Sequence, residues 1–228
     1  MTQERPRIFL VDDDPGVLKA LTRLLRAAGH TVETYATPGE LLRREHYGGP
    51  GCVVLDLRMP EMTGMELQEA LERAGSTLPV VFVTGHGDIP TGVKAMKEGA
   101  VDFLTKPVDE KDLLAAVDRA LEREAGARVD RAEREAARAR YARLTARERE
   151  VCALVATGAL NKQIAAELGA SEKTIKVHRA RVMEKLGVGS VAELVRLFDR
   201  VRAGSSGEPV APRRPPVSEP PLHRRASP

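Results

Sequence analysis

An α/β unit built on a doubly wound parallel sheet, followed by a small all-α unit, is the architecture this sequence predicts. Three observations carry it. Five short apolar runs alternate with helix-period segments over the first 121 residues. From Leu144 onward only helical periodicity remains, punctuated by caps and glycines. Charge divides the chain the same way. Residues 1–121 hold 14 Lys/Arg against 19 Asp/Glu, residues 122–141 hold 6 against 5, residues 142–200 hold 11 against 7, and residues 201–228 hold 5 against 2. An acidic half joined to a basic half points to two units with different partners, the second polyanionic.

The strands are read as RIFLV (7–11), TVETY (31–35), CVVLD (52–56), PVVFVT (79–84) and VDFLT (101–105). Helical spacing links Val17, Leu18, Leu21, Leu24 and Leu25, then Met65, Leu67, Ala70 and Leu71. It is weaker at Val93, Met96 and Lys97, and clear at Leu113, Leu114, Val117 and Leu121. Strands that alternate with helices call for a parallel sheet covered on both faces.

Residues 122–141 are rich in Ala, Arg and Glu and nearly free of large apolar side chains. They predict a solvated helical linker, interrupted or kinked near Gly126, with no apolar seam for a zipper. Residues 142–203 predict four short helices. Thr145 and Glu148 form a capping-box start, Gly158 ends the first helix, Asn161 caps the second, and Gly169 ends it. Ser171 caps a third helix running to about Leu186, and Val191, Leu194, Val195 and Leu197 mark a fourth. A tight Gly turn between the second and third makes a helix-turn-helix pattern. Residues 204–228, crowded with Pro, Gly and Ser, predict a disordered tail.

No apolar run reaches the ~18 residues of a membrane span, and the opening MTQERPR lacks the apolar core of a signal peptide. Cys52 and Cys152 lie in apolar-periodic segments without metal-ligand spacing, which predicts reduced, buried thiols. A cytoplasmic protein without a membrane partner is the expectation.

In an open parallel sheet the site lies beyond the carboxyl ends of the strands. Here the first strand ends in Asp12, Asp13 and Asp14, the third in Asp56, the fourth in Thr84 and Gly85, and the fifth in Thr105, Lys106 and Pro107. Carboxylates that converge cannot all stay ionised without compensation. A Mg²⁺ ion and the Lys106 ammonium would supply it. Asp56 could then attack a phosphoryl donor, with Thr84 donating to the new phosphate. Each residue also has a plainer reading: Asp14 as a helix cap, Lys106 as a surface lysine, Thr84 as a strand terminus. Their joint occurrence favours the site.

VDDD (11–14), LDLRMPEMTG (55–64), VTGHGD (83–88), AMKEGAVDF (95–103) and LTKP (104–107) resemble the receiver domain of a two-component response regulator, over about residues 5–121. LTAREREV (144–151) and NKQIAAELGASEKTIKVHRARVMEKL (161–186) resemble the LuxR-type helix-turn-helix of the NarL/FixJ subfamily, FixJ-like branch. The resemblance implies a flavodoxin-like receiver over residues 1–121 and a LuxR-type DNA-binding domain over residues 142–203. It makes Asp56 the phosphoacceptor. Asp13, Asp56 and the Arg58 backbone carbonyl would bind Mg²⁺, assisted by Asp12 through water. Thr84 and Lys106 would be phosphate partners, Phe103 the switch aromatic, and Pro107 would follow a cis peptide bond. Asp14 departs from the Glu that many receivers carry there.

On a helical wheel Ile175, Val182 and Leu186 face inward, while Lys173, Lys176, Val177, Ala180 and Arg181 face outward. This fits a recognition helix in the major groove. Lys176 is placed against guanine and Val177 against a thymine methyl. Thr174, Arg179, Lys162 and Lys185 are placed on phosphates. His178 lies at the edge of the buried face, as a packing or phosphate-contacting residue.

The function that follows is a phosphorylation-switched transcription regulator. Its expected partners are a sensor histidine kinase, promoter DNA, a second copy of itself on phosphorylation, and RNA polymerase. An Asp-nucleophile phosphatase needs a second Asp two residues on, where Arg58 stands. Chemistry beyond self-phosphorylation and self-dephosphorylation at Asp56 is therefore not expected. A flavin site is disfavoured by three aspartates after the first strand. A phosphorylation-independent DNA binder with a vestigial receiver stays open.

Overall fold

The computed structural model describes residues 5–44, 47–85 and 89–203. The predicted disordered tail lies outside these, as does His86 of the VTGHGD run. The chain divides into two compact units, Met1–Ala132 and Glu133–Pro228.

In the first unit the strands are β1 (Arg7–Val11), β2 (Thr31–Tyr35), β3 (Gly51–Asp56), β4 (Val80–Thr84) and β5 (Asp102–Thr105). They form one parallel sheet in the order β2-β1-β3-β4-β5. Every residue of β3 and β4 is buried, which is why both strands read as continuous apolar runs. Alternation of side chains sorts the sheet into two cores. Ile8, Leu10, Cys52, Val54, Val81 and Val83 pack against α1 (Pro15–Ala27) and the start of α5 (Glu110–Ala142). Phe9, Val11, Val53, Leu55 and Phe82 pack on the other face against α2 (Pro38–Arg43), α3 (Gly64–Arg73) and α4 (Ile89–Lys97). Asp14 caps α1, accepting from the Gly16 and Val17 amides. Both cysteines are buried free thiols, pushed up to about 12 at Cys52 and about 11 at Cys152 by burial.

Helix α2 has no counterpart in the periodicity reading. At six residues it is too short to show a repeat. Its start signals were nonetheless present. Thr37 accepts from the Glu40 amide, Glu40 accepts from the Ala36 amide, and Pro38 holds the first position.

The second unit packs the end of α5 with α6 (Ala146–Ala156), α7 (Asn161–Leu168), α8 (Glu172–Leu186) and α9 (Val191–Arg202). The capping box of Thr145 and Glu148 is formed. Gly169 turns the chain between α7 and α8 at φ 62°, a conformation that favours glycine. Ser171 caps α8 by accepting from Thr174 N–H.

Three expectations are corrected. The break near Gly126 is absent, and α5 runs unbroken from Glu110 to Ala142. One glycine costs about 1 kcal/mol there, and the flanking Ala, Arg and Glu are strong helix formers that absorb it. The end of the supposed solvated linker is also packed. Ala137 is buried, and the Tyr141 ring lies 5.8 Å from that of Phe198. Finally, Asn161 is the first residue of α7, not its cap. The cap position is Leu160, whose amide donates to Gln163 Oε1, and the Asn161 amide oxygen instead accepts from Arg179 at 2.9 Å.

Candidate functional site

Asp12 follows β1 and Asp56 ends β3, and β1 and β3 are neighbours at the point where strand order reverses. The sheet therefore delivers both carboxylates to one crevice. Asp12 and Asp56 are buried and Asp13 is exposed, yet one carboxylate oxygen from each lies within 4.8 Å of the others. Lys106, just beyond β5, donates to Asp12 Oδ2 at 2.7 Å and stands 3.4 Å from Asp56 Oδ2. The second Asp12 oxygen accepts from the Asp14 amide at 3.0 Å. Asp56 Oδ1 is buried with no hydrogen-bond partner.

Burial pushes the Asp56 carboxyl above its usual range. The Lys106 charge opposes the shift, the Asp12 charge adds to it, and a backbone hydrogen bond from Arg58 also opposes it. For Lys106, burial works against the charged form, but the hydrogen bond and charge of Asp12, then those of Asp56, outweigh it and raise the pKa. Three carboxylates against one ammonium leave two negative charges uncompensated. That deficit, the open Asp56 Oδ1 and an all-oxygen donor set fit a hard divalent cation such as Mg²⁺.

Thr84 is fully buried at the end of β4, and Phe103 is half-buried on β5. The peptide bond between Lys106 and Pro107 is cis. Arg58 is exposed, two residues past Asp56. Gly64 is a residue the sequence reading passed over. A Cβ there would fall 2.5 Å from the Asp56 carbonyl oxygen, so only glycine lets the turn into α3 close over the end of β3. In the sequence it closes the LDLRMPEMTG run, directly after Thr63, the α3 cap.

In the second unit Ile175, Val182 and Leu186 are fully buried, while Lys173, Thr174, Lys176, Val177, Ala180 and Arg181 are exposed on α8. Lys162 is exposed on α7. Arg179 is half-buried and holds Asn161. His178 is half-buried, and its Nδ1 has no hydrogen-bond partner. Lys185 donates to Glu148 Oε2 at 2.6 Å, pinning α8 to α6. Together with the Thr145 amide it holds the Glu148 carboxyl down at about 2.

Comparison with known proteins agrees with this geometry. Residues 8–118 match the response regulator receiver domain, and residues 142–198 match the bacterial regulatory proteins of the luxR family. The chain belongs to the FixJ-like two-component response regulators. It is 42% identical over 202 residues to the response regulator protein TodT of Pseudomonas putida, covering 89% of each chain. It is 45% identical over 194 residues to the tetrathionate response regulatory protein TtrR of Salmonella typhimurium, covering 85% of this chain and 92% of that one. Among solved structures, the response regulator StyR superposes with a TM-score of 0.74 at 45% identity, over 86% of this chain and all of that one. Full-length FixJ from B. japonicum gives 0.52 at 39% identity, over 87% of this chain and 98% of that one. A receiver joined to a luxR-type domain makes this response regulator a transcription regulator, with a histidine kinase and DNA as the implied partner classes. Among the described residues no helix is long and apolar enough to cross a membrane.

Proposed function

We propose that this cytoplasmic regulator accepts a phosphoryl group from its histidine kinase on Asp56. Phosphorylation then promotes dimerisation and sequence-specific DNA binding by α8. The observation that carries the reading is the Asp12–Asp13–Asp56 cluster facing Lys106, with Asp56 Oδ1 left unpartnered.

An Asp56 carboxylate oxygen attacks phosphorus, the bond from phosphorus to the kinase imidazole nitrogen breaks, and the imidazole leaves with that electron pair. Lys106 faces the equatorial oxygens and offsets their charge. Mg²⁺ held by Asp12, Asp13, Asp56 and the Arg58 backbone carbonyl would add further positive charge at those oxygens. Thr84 donates its hydroxyl hydrogen to the new phosphate, and Phe103 follows on the same face of the sheet. Turning a population from mostly inactive to mostly active takes about 5.5 kcal/mol of differential stabilisation. The new phosphate contacts and dimerisation on the α4 side supply it.

On DNA, Lys176 and Val177 read base edges, with Ala180 and Arg181 beside them. Lys162, Thr174 and His178 lie toward the phosphates, whereas Arg179 and Lys185, expected there from the sequence, are engaged by Asn161 and Glu148, and contact with RNA polymerase completes the regulatory output. The test is intact-mass and sedimentation measurement with acetyl phosphate and Mg²⁺, on wild type and Asp56→Asn. Phosphorylation and dimerisation in wild type alone support the reading. Identical behaviour of the two proteins leaves the alternative of a vestigial receiver.

A further inference from the structure

Gly92 lies inside α4, where a glycine costs stability relative to alanine. Its surroundings give a reason to keep it. A Cβ at this position would fall 3.3 Å from Phe103 Cδ1, 3.4 Å from Cε1 and 3.6 Å from Cγ. Comfortable carbon contacts begin at about 3.5 Å, so the volume a side chain would use is taken by the Phe103 ring.

The sheet ties that ring to the phosphate site. Phe103 pairs with Phe82 and Thr105 pairs with Thr84. Thr84 and Phe103 therefore share one face of the sheet, one pleat apart, on the side that α4 covers through Ala95. On the outer side of α4, Val93 and Met96 are roughly half exposed. A displacement of the ring is thus felt at α4, the helix proposed above to carry the dimerisation surface.

We infer that Gly92 is a positioning residue for the phosphorylation switch. By presenting no side chain it seats Phe103 directly against the α4 backbone, so that ring and helix move as a coupled pair. The inference rests on the switch reading proposed above and deepens it. Alanine at 92 requires the ring or helix to give by a few tenths of an ångström. Valine places further carbons where the ring now lies, so the two cannot both keep their positions. A role limited to helix propensity would give a different pattern, with alanine stabilising α4 regardless of what stands at 103.

The experiment measures the monomer–dimer constant of the full chain by sedimentation, with and without acetyl phosphate and Mg²⁺, while intact mass reports the extent of phosphorylation. The proteins are wild type, Gly92→Ala, Gly92→Val, Phe103→Ala and Gly92→Val/Phe103→Ala. The readout is the ratio of the phosphorylated to the unphosphorylated constant. Gly92→Val is expected to change this ratio about tenfold, and Gly92→Ala by less. The double variant is expected to match Phe103→Ala, because the clash disappears with the ring. Equal effects of Gly92→Val with and without the Phe103 ring would overturn the inference, as would an unchanged ratio in both single Gly92 variants. Should Gly92→Val not fold, Gly92→Ala paired with Phe103→Ala completes the same cycle. A wild-type ratio of one on a fully phosphorylated protein overturns the switch reading itself, a result distinct from additivity in a responsive protein.

Discussion

Asp56 in the first unit and Glu148 in the second are both buried carboxylates that face a lysine. Glu148 takes Lys185 at 2.6 Å and the Thr145 amide at 2.8 Å, and its pKa is lowered to about 2. Asp56 stands 3.4 Å from a lysine that donates at 2.7 Å to Asp12 instead, and one of its oxygens has no partner. Burial raises its pKa where Glu148's is lowered. One acid and lysine are spent on holding two helices together. At the other site Lys106 is satisfied by Asp12 while Asp56 Oδ1 is left unpartnered, which is the condition for binding something that is yet to arrive. The difference lies in the neighbours, since a second carboxylate pairs with Lys106, while among the described residues Lys185 pairs with Glu148 alone.

Four measurements would break or sharpen this contrast. Asp56→Asn removes the proposed nucleophile and should abolish phosphorylation by acetyl phosphate entirely, read by intact mass. Persistent single phosphorylation in that variant would place the acceptor elsewhere. Lys106→Ala should slow phosphorylation about 100-fold, the usual loss for one oxyanion donor, read by stopped-time mass analysis. A rate within a few fold of wild type would mean that Lys106 only neutralises Asp12.

On the DNA side, Lys176→Ala should cost about 1–3 kcal/mol of discrimination at one base pair. Lys162→Ala should weaken all sequences alike and lower the salt slope by about one. Binding-site selection at several salt concentrations separates the two, and a reversed pattern would exchange their roles.

The smallest effect concerns the satisfied pair. Glu148→Ala loses a cap partner and should cost about 1–2 kcal/mol of stability in denaturant unfolding. Because the folded pKa of Glu148 lies below its ordinary 4.5, its contribution is fully present above that pH and is lost as pH falls toward about 2. Glu148→Gln should flatten that acid limb. A limb identical to wild type would show that Lys185 does not depend on the charge.

Much of this could be read from residue order because the signals are local. Apolar runs ending in Asp56 or Thr84 are strands ending at a site, and the spacing of Ile175, Val182 and Leu186 is an inward helix face. What escaped reading involved partners distant in sequence or signals too short to repeat. Asn161 resembles a cap until Arg179, eighteen residues on, is seen to hold its side chain. Gly126 resembles a break because composition cannot weigh one glycine against two dozen helix formers. Gly64 and Gly92 look like ordinary glycines until the Asp56 carbonyl and the Phe103 ring are found against them.

The sequence by itself determined the number of strands and their succession along the chain, the two-unit plan and which acids are candidates for the site. Periodicity and chain-end chemistry are properties of neighbouring residues. Only the tertiary structure decided which oxygen of Asp56 is open, which carboxylate claims Lys106, and which lysine of α8 is already committed to an acid. Those outcomes depend on competition among groups brought together from positions as far apart as 12, 56 and 106, and only the folded sheet sets the distances that settle it.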